Sequence, residues 1–212
     1  MKIALIGASG FIGSKLLKEA LSRGHDVTAL VSNPEKIAGQ PHLAVAKVDV
    51  LDTTALASLL SGHEAVITAF SGHARADTFD YYLKGFRSIV AATKQSNVPR
   101  LLAVGGAGSL ETPTRVQLVD TPDFPEQWKQ SALGAREALN LLRHEHSLNW
   151  TMLSPSAVIA PGKRTGRFRL GDDGLLVDAQ GQSTISLEDY AVAMVDELEQ
   201  PAHSRRRFTV GY

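Results

Sequence analysis

Apolar residues in the first half of the chain come in short runs separated by stretches of helical periodicity. Residues 3–6, IALI, form an unbroken apolar run, the pattern of a strand covered on both faces. From Ile12 through Leu16, Ala20 and Leu21 the apolar positions share one helical face, and Gly24 supplies a C-terminal stop. The same reading places strands at 27–31, 42–48, 65–70 and 101–104. Between them lie a short helix capped by Asp52, carrying Leu56, Leu59 and Leu60 and ending at Gly62, and a long helix over 77–95 with Phe86, Ile89, Val90 and Thr93 inward. Alternating strands and helices pair in parallel through right-handed crossovers. The expected fold class is therefore α/β, a doubly wound parallel sheet in three αβα layers with strand order 3-2-1-4-5-6.

The second half is less regular. Residues 110–125 hold three prolines and read as a long loop, whose length beside strand five predicts a lid rather than a linker. A helix follows over 126–146, with Leu133, Leu139 and Leu142 inward, then a sixth strand at 149–153. Residues 167–170 and 175–177, joined by the turn 171–174, predict a hairpin. Ser186 caps a last helix through 199, and 207–210 reads as a final edge strand.

Composition narrows the picture. The 212 residues suffice for one sizeable core, so a single domain over 1–212 is expected. Basic and acidic residues number 22 each, leaving no net charge and no basic footprint for nucleic acid. The lack of cysteine excludes disulfides, Cys-ligated metals and thiol nucleophiles. No apolar run approaches the ~18 residues of a membrane span, and strand-forming residues from position 2 leave no room for a signal peptide. The expectation is a soluble cytoplasmic protein without a membrane partner.

Candidate chemistry starts at Gly7, Ser9, Gly10, Phe11, Ile12 and Gly13, between the first strand and the first helix. A helix N-terminus offers unpaired N–H groups and partial positive charge to a pyrophosphate. Gly7 can make the tight turn, Gly10 can leave room for phosphate oxygens and Gly13 can let the helix press on the sheet. This GxxGxxG spacing predicts a dinucleotide site. Ligands of such sheets lie beyond the strand ends where the order reverses. After strand two come Ser32, Asn33 and Lys36, with no acidic residue at the strand end itself to take both ribose hydroxyls of NAD, which favours NADP(H) over NAD(H). After strand three, Asp49 can meet the adenine amino group while Val50 packs on the ring, or Asp49 is a solvated strand end. Ala69, Phe70 and Ser71 after strand four would pass the ribose and nicotinamide. Gly105 and Gly106 after strand five keep backbone against the pocket, or simply make a bend.

Taken with VGGAGSL at 104–110, WTMLSP at 150–155, PGKRTG at 161–166, ISLEDYA at 185–191 and FTVGY at 208–212, the glycine motif resembles the atypical short-chain dehydrogenase/reductases. More narrowly it resembles their NmrA-like and NADH-flavin reductase group, which includes biliverdin-IXβ reductase. The resemblance spans nearly the whole chain. It implies a Rossmann fold binding NAD(P), with substrate over the nicotinamide and residues 155–212 as the substrate-side lobe. Relatives often carry an arginine where Ser32 stands.

The superfamily's usual Tyr-x-x-x-Lys acid pair occurs nowhere in the chain. A small planar acceptor, flavin or quinone-like, is therefore expected, since its electron-poor ring can take hydride and draw its proton from water. Ser109 is the candidate that hydrogen-bonds this acceptor, with Ser71 or His73 assisting. A rival reading is an NmrA-like dinucleotide sensor without turnover. Lys163, Arg164, Arg167 and Arg169 either offer cations to an acidic substrate or face solvent. For Trp128 and Phe124 core packing is preferred to stacking on a planar ring, and Arg205, Arg206 and Arg207 read as a solvated charge run. No metal site is expected: His144 and His146 would point ~200° apart on a helix.

Overall fold

The computed structural model describes residues 1–73 and 76–212. Each strand of the first half is followed by a segment that returns the chain to the same end of the sheet, so the strands pair in parallel. In chain order these are β1 (Lys2–Ile6), α1 (Gly13–Ser22), β2 (Asp26–Val31), β3 (Leu43–Lys47), α2 (Thr53–Leu60), β4 (Ala65–Thr68), α3 (Thr78–Gln95), β5 (Arg100–Val104), α4 (Glu126–Arg143) and β6 (Asn149–Ser154). Beyond β6 come β7 (Val158–Ala160), β8 (Arg169–Gly171), β9 (Thr184–Ser186), α5 (Leu187–Glu199) and β10 (Arg206–Gly211). The main sheet runs β3-β2-β1-β4-β5-β6-β10-β8, and β7 pairs in parallel with β9 in a separate small sheet. The order expected for the first six strands is the one observed.

The apolar run of β1 has its explanation in the two faces of the sheet. Ile3 and Leu5 enter a core shared with Leu16 and Ala20 of α1 and Tyr190 and Met194 of α5. Ala4 and Ile6 enter the opposite core, with Leu56 of α2, Phe86 and Ile89 of α3 and Leu139 of α4. Two helix starts are fixed as the sequence suggests: an Asp52 carboxylate oxygen accepts from the N–H of Ala55 at 3.0 Å, and Ser186 Oγ accepts from the N–H of Asp189 at 3.0 Å. Such caps contribute about 1 kcal/mol each.

The second half departs from expectation in specific ways. The strand β8 does not form a hairpin with residues 175–177; it pairs antiparallel with β10, Gly171 opposite Thr209 and Arg169 opposite Gly211. The turn after β8 is held to β10 by Asp172, which pairs with Arg206 at 3.0 Å, and by Asp173, which pairs with Arg207. Beyond the turn the chain is drawn to the loop after β5, where the N–H of Leu175 donates to the carbonyl of Glu111 at 2.8 Å. As a result β10 lies inside the sheet, between β6 and β8, and is not an edge strand. Helix α4 stops at Arg143 rather than 146, because the Glu145 carboxylate turns to Ser147 and Lys94. The expected lid segment 110–125 is closed on itself: Leu110 and Val119 are buried, and Leu118 N–H donates to the Leu110 carbonyl at 2.9 Å. Among the described residues no helix is long and apolar enough to cross a membrane.

Candidate dinucleotide site

The backbone ladder continues past the strand ends and brings the predicted residues to one edge. Gly7 N–H donates to the Leu30 carbonyl at 2.9 Å, Ala69 N–H to Ile6 at 2.9 Å, Val48 N–H to Val31 at 3.0 Å and Gly105 N–H to Leu153 at 2.8 Å. Residues 7, 31, 48, 69 and 105 thus line the C-terminal edge of the sheet, on both sides of the β1–β4 junction where the strand order reverses.

At that junction the glycines differ in what they do. Gly7 takes φ +79°, and a Cβ there would lie 2.8 Å from the Ala69 carbonyl oxygen, so the turn presses directly on the end of β4. A Cβ on Gly13 would sit 2.1 Å from the Gly7 carbonyl oxygen, which makes the approach of α1 to its own turn possible only for glycine. A Cβ on Gly10 would meet a single atom, the Gly7 oxygen at 3.2 Å. Its outer side is open.

This open side is electropositive by construction. Among the described residues no carbonyl accepts from the N–H groups of Ser9, Phe11 or Ile12. Helix α1 has no side-chain cap and no acidic residue in its first turn. The partial positive charge of its N-terminus is therefore uncompensated. Ser9 and Gly10 are exposed, and Phe11 stands 60% exposed beside them. Open space, unbonded N–H groups and a free helix end match a dinucleotide pyrophosphate.

The remaining candidates are distributed around this turn. Ser32, Asn33 and Lys36 are exposed, the last in a short 3-10 turn (Pro34–Lys36), with no carboxylate among residues 31–34. Asp49 is exposed, and its carboxylate accepts from the N–H of Leu51 at 2.9 Å, which fixes it at the end of β3. Val50 is 8% exposed, and its side chain lies beside Gly85. Phe70 is half-buried, stacked at 5.9 Å on Tyr82, while Ser71 is exposed. Gly105 is half-buried, and a Cβ there would meet Met152 and Ser154; at Gly106 it would meet Ala135.

Around Ser109 and the residues after β6 the picture changes. Ser109 is 5% exposed, and its hydroxyl accepts from Arg207 Nη1 at 3.3 Å. Arg207 is not part of a solvated run; it is buried, bonded to Asp173 through Nε at 2.8 Å and to Ser154 Oγ at 3.2 Å. Arg164 and Arg169 are engaged within the chain. Arg164 forms a bidentate pair with Glu19 of α1, both contacts at 2.8 Å, and Arg169 donates to the carbonyls of Val177 and Tyr212. Trp128 is 52% exposed rather than core, its indole edge-on to the His73 ring with centroids 6.1 Å apart. Among the described residues no cluster suited to a metal ion is present.

Sequence reasoning missed Asp189, which organises this side. Its carboxylate accepts from the Thr165 and Gly166 N–H groups at 2.8 and 2.9 Å, from Thr165 Oγ1 at 2.5 Å and from the Tyr212 hydroxyl at 2.7 Å. Burial pushes this carboxyl up, but the bonds from Thr165, Gly166 and Tyr212 outweigh it and hold the group below the usual carboxylate range. At Glu19 the Arg164 bond leads, outweighing burial with help from Arg23, again with a lowered carboxyl. The signal available in sequence was the presence of PGKRTG, ISLEDYA and the C-terminal GY together, all of which meet at Asp189.

The chain matches a family model described as NAD(P)H-binding over residues 7–201. It is 42% identical to YwnB of Bacillus subtilis (strain 168), a protein of uncharacterised function, over 99% of this chain and 98% of that protein. A solved structure from Bacteroides thetaiotaomicron, provisionally named an epimerase, superposes with a TM-score of 0.94 at 46% identity, covering 100% of this chain and 96% of that one. Another from Streptococcus pneumoniae TIGR4, provisionally named an NADH-flavin reductase, superposes with a TM-score of 0.85 at 36% identity, covering 100% and 99%. The two names disagree about chemistry and agree with the same fold. The chain belongs to the NAD(P)H-binding family that this model describes, and its sheet has the Rossmann arrangement.

Proposed function

We propose that the protein is an NAD(P)H-dependent reductase that prefers NADPH and passes hydride to a planar acceptor, a flavin or quinone, without a tyrosine acid. The observation that carries this reading is the open, uncapped turn at Gly10 facing the strand ends, combined with tyrosines that are engaged elsewhere. Tyr190 is fully buried with its hydroxyl on the Leu153 carbonyl at 2.7 Å, and burial pushes that phenol well up. The Tyr212 hydroxyl is tied to Ser186 and Asp189.

A reduced dinucleotide held by its pyrophosphate at this turn would supply a hydride, which with one proton from water would complete the two-electron reduction of an oxidised flavin or quinone. The chain's residues bind and orient. The N–H groups of Ser9, Phe11 and Ile12 meet the pyrophosphate, and exposed Ser32, Asn33 and Lys36 receive the 2′-phosphate. Ser109 takes a hydrogen bond from Arg207, so its own O–H is directed to another acceptor, and a carbonyl of the planar ring suits it. Residues 155–212 make up the substrate side of the one domain.

The test is NADPH oxidation with a panel of acceptors. FMN or a quinone accelerates it above the no-enzyme control, and simple ketones do not. Tyr190→Phe and Tyr212→Phe keep turnover within about tenfold, ~1.4 kcal/mol of barrier. Tight NADPH binding with no oxidation by any flavin or quinone replaces this reading with that of a dinucleotide sensor.

A further inference from the structure

Among the described residues the phenylalanine, tyrosine and tryptophan side chains are buried or half-buried with two exceptions, Phe11 at 60% exposure and Trp128 at 52%. Both stand at the C-terminal edge of the main sheet, Phe11 in the turn after β1 and Trp128 in the first turn of α4, the helix that follows β5. The other tryptophan shows how this fold treats an indole used for packing. Trp150 is 2% exposed, and its Nε1 donates to the Glu145 carbonyl at 3.3 Å.

Contacts on two sides fix where Trp128 lies. A Cβ on Gly108 would be 2.7 Å from Ala132 Cβ and one on Gly106 2.9 Å from Ala135 Cβ, so the α4 face bearing these alanines presses on the turn just past β5. Trp128 precedes them by four and seven residues, which puts it on that same face. Because the chain leaves β5 at the C-terminal edge, the N-terminus of α4 points outward, and a rise of about 1.5 Å per residue sets Trp128 about 6 Å beyond Ala132. On the other side its ring meets that of His73, which follows β4, with centroids 6.1 Å apart and planes at 70°. Trp128 thus overhangs the ends of β4 and β5.

These strands lie across β1 from β2 and β3. A dinucleotide with its pyrophosphate at the Gly10 turn and its adenosine toward β2 and β3 has its nicotinamide half directed to β4 and β5. An indole left open there exposes a large apolar face to water, a cost that is recovered when a flat partner covers it.

We infer that Trp128 is the wall on which the acceptor's ring stacks, so that the substrate class is a fused aromatic ring system, a flavin or naphthoquinone, in preference to a single-ring quinone. The inference rests on the reductase reading for the presence of an acceptor, and on the placement of Trp128 for the stacking.

Riboflavin and menadione carry fused rings and duroquinone carries one, so the three serve as probes. Calorimetry on the protein saturated with NADP+ measures their binding, and NADPH oxidation measures turnover. Wild type is expected to bind riboflavin and menadione roughly five- to tenfold tighter than duroquinone, the scale of aromatic stacking. Trp128→Leu alters an exposed position and should fold, as a urea melt would show; it is expected to lose that preference and to raise KM for the fused rings, with kcat and NADPH affinity unchanged. Trp128→Phe keeps most of the preference, which a merely apolar contact does not require. A Leu variant that binds the fused rings as wild type does, a Phe variant no better than the Leu variant, a parallel loss of NADPH affinity, or a wild type that binds none of the probes overturns the stacking wall. Fused-ring binding that Trp128→Leu weakens, without NADPH oxidation, supports the wall and removes the reductase reading. NADPH oxidation by riboflavin or menadione with a KM indifferent to Trp128→Leu keeps the reductase reading and removes the wall.

Discussion

The two ends of the binding edge treat their polar groups in opposite ways. Around Gly10 the N–H groups of Ser9, Phe11 and Ile12 lack carbonyl partners and α1 lacks a cap. Around Asp189 and Arg207 nearly every donor finds an acceptor within the chain: Thr165, Gly166 and Tyr212 on one carboxylate, Asp173, Ser109 and Ser154 on one guanidinium. Leaving donors unmatched costs stability unless a ligand or water takes them, while matched clusters rigidify. On the proposed reading the unmatched end takes the dinucleotide, and the matched end gives the neighbouring part of the edge a rigid framework.

Gly13→Ala probes the tightest contact in the turn. Its Cβ would lie 2.1 Å from the Gly7 oxygen, so either the turn or the start of α1 must move. A loss of about 3 kcal/mol in a urea melt is expected, on the scale of overpacking.

Asp189→Asn probes the matched end through pH. The folded carboxyl of Asp189 lies below its unfolded value, so its stabilisation is fully present above the unfolded pKa of ~3.9 and is lost as pH falls through the lower folded value. The wild-type urea midpoint should exceed that of Asp189→Asn at pH 7, and the two should converge as pH falls below the unfolded value and through the lower folded one. A gap that persists undiminished in acid assigns the difference to packing instead of charge.

Lys36→Ala sharpens the cofactor side. Wild type should bind NADPH roughly five- to thirtyfold tighter than NADH, the range of one charge-assisted contact, and the variant should narrow that ratio with NADH affinity unchanged. A wild-type preference for NADH in the same titration contradicts the assignment at the β2 end.

Much of the first half was legible in the sequence, because its signals are local. The buried run 3–6, the helical spacing from Ile12 to Leu21 and the caps at Asp52 and Ser186 depend on residues a few positions apart. The glycine turn was legible for the same reason, and so was the strand order that follows from alternation. The second half depends on partners remote in sequence. Arg207 is buried because Asp173, 34 residues away, meets it, and Arg164 is engaged because Glu19, 145 residues away, is buried beneath it. Nothing local distinguishes Arg207 from the exposed Arg205 and Arg206. Three-residue strands such as β8 carry too little periodicity to choose a partner, so residues 169–171 join β10 where the sequence suggested 175–177. Trp128 misled for a related reason: large aromatic rings are usually buried, and this one stands open at the first turn of α4.

The most direct test compares NADPH binding to wild type and to Gly10→Val by calorimetry. A Cβ at Gly10 meets only one protein atom, at 3.2 Å, so the variant should fold, as its circular dichroism and urea melt would show. The added side chain then fills the space in front of the free N–H groups. The account predicts clear binding heat for wild type and none for the folded variant; a folded Gly10→Val protein that binds NADPH with unchanged affinity would contradict it.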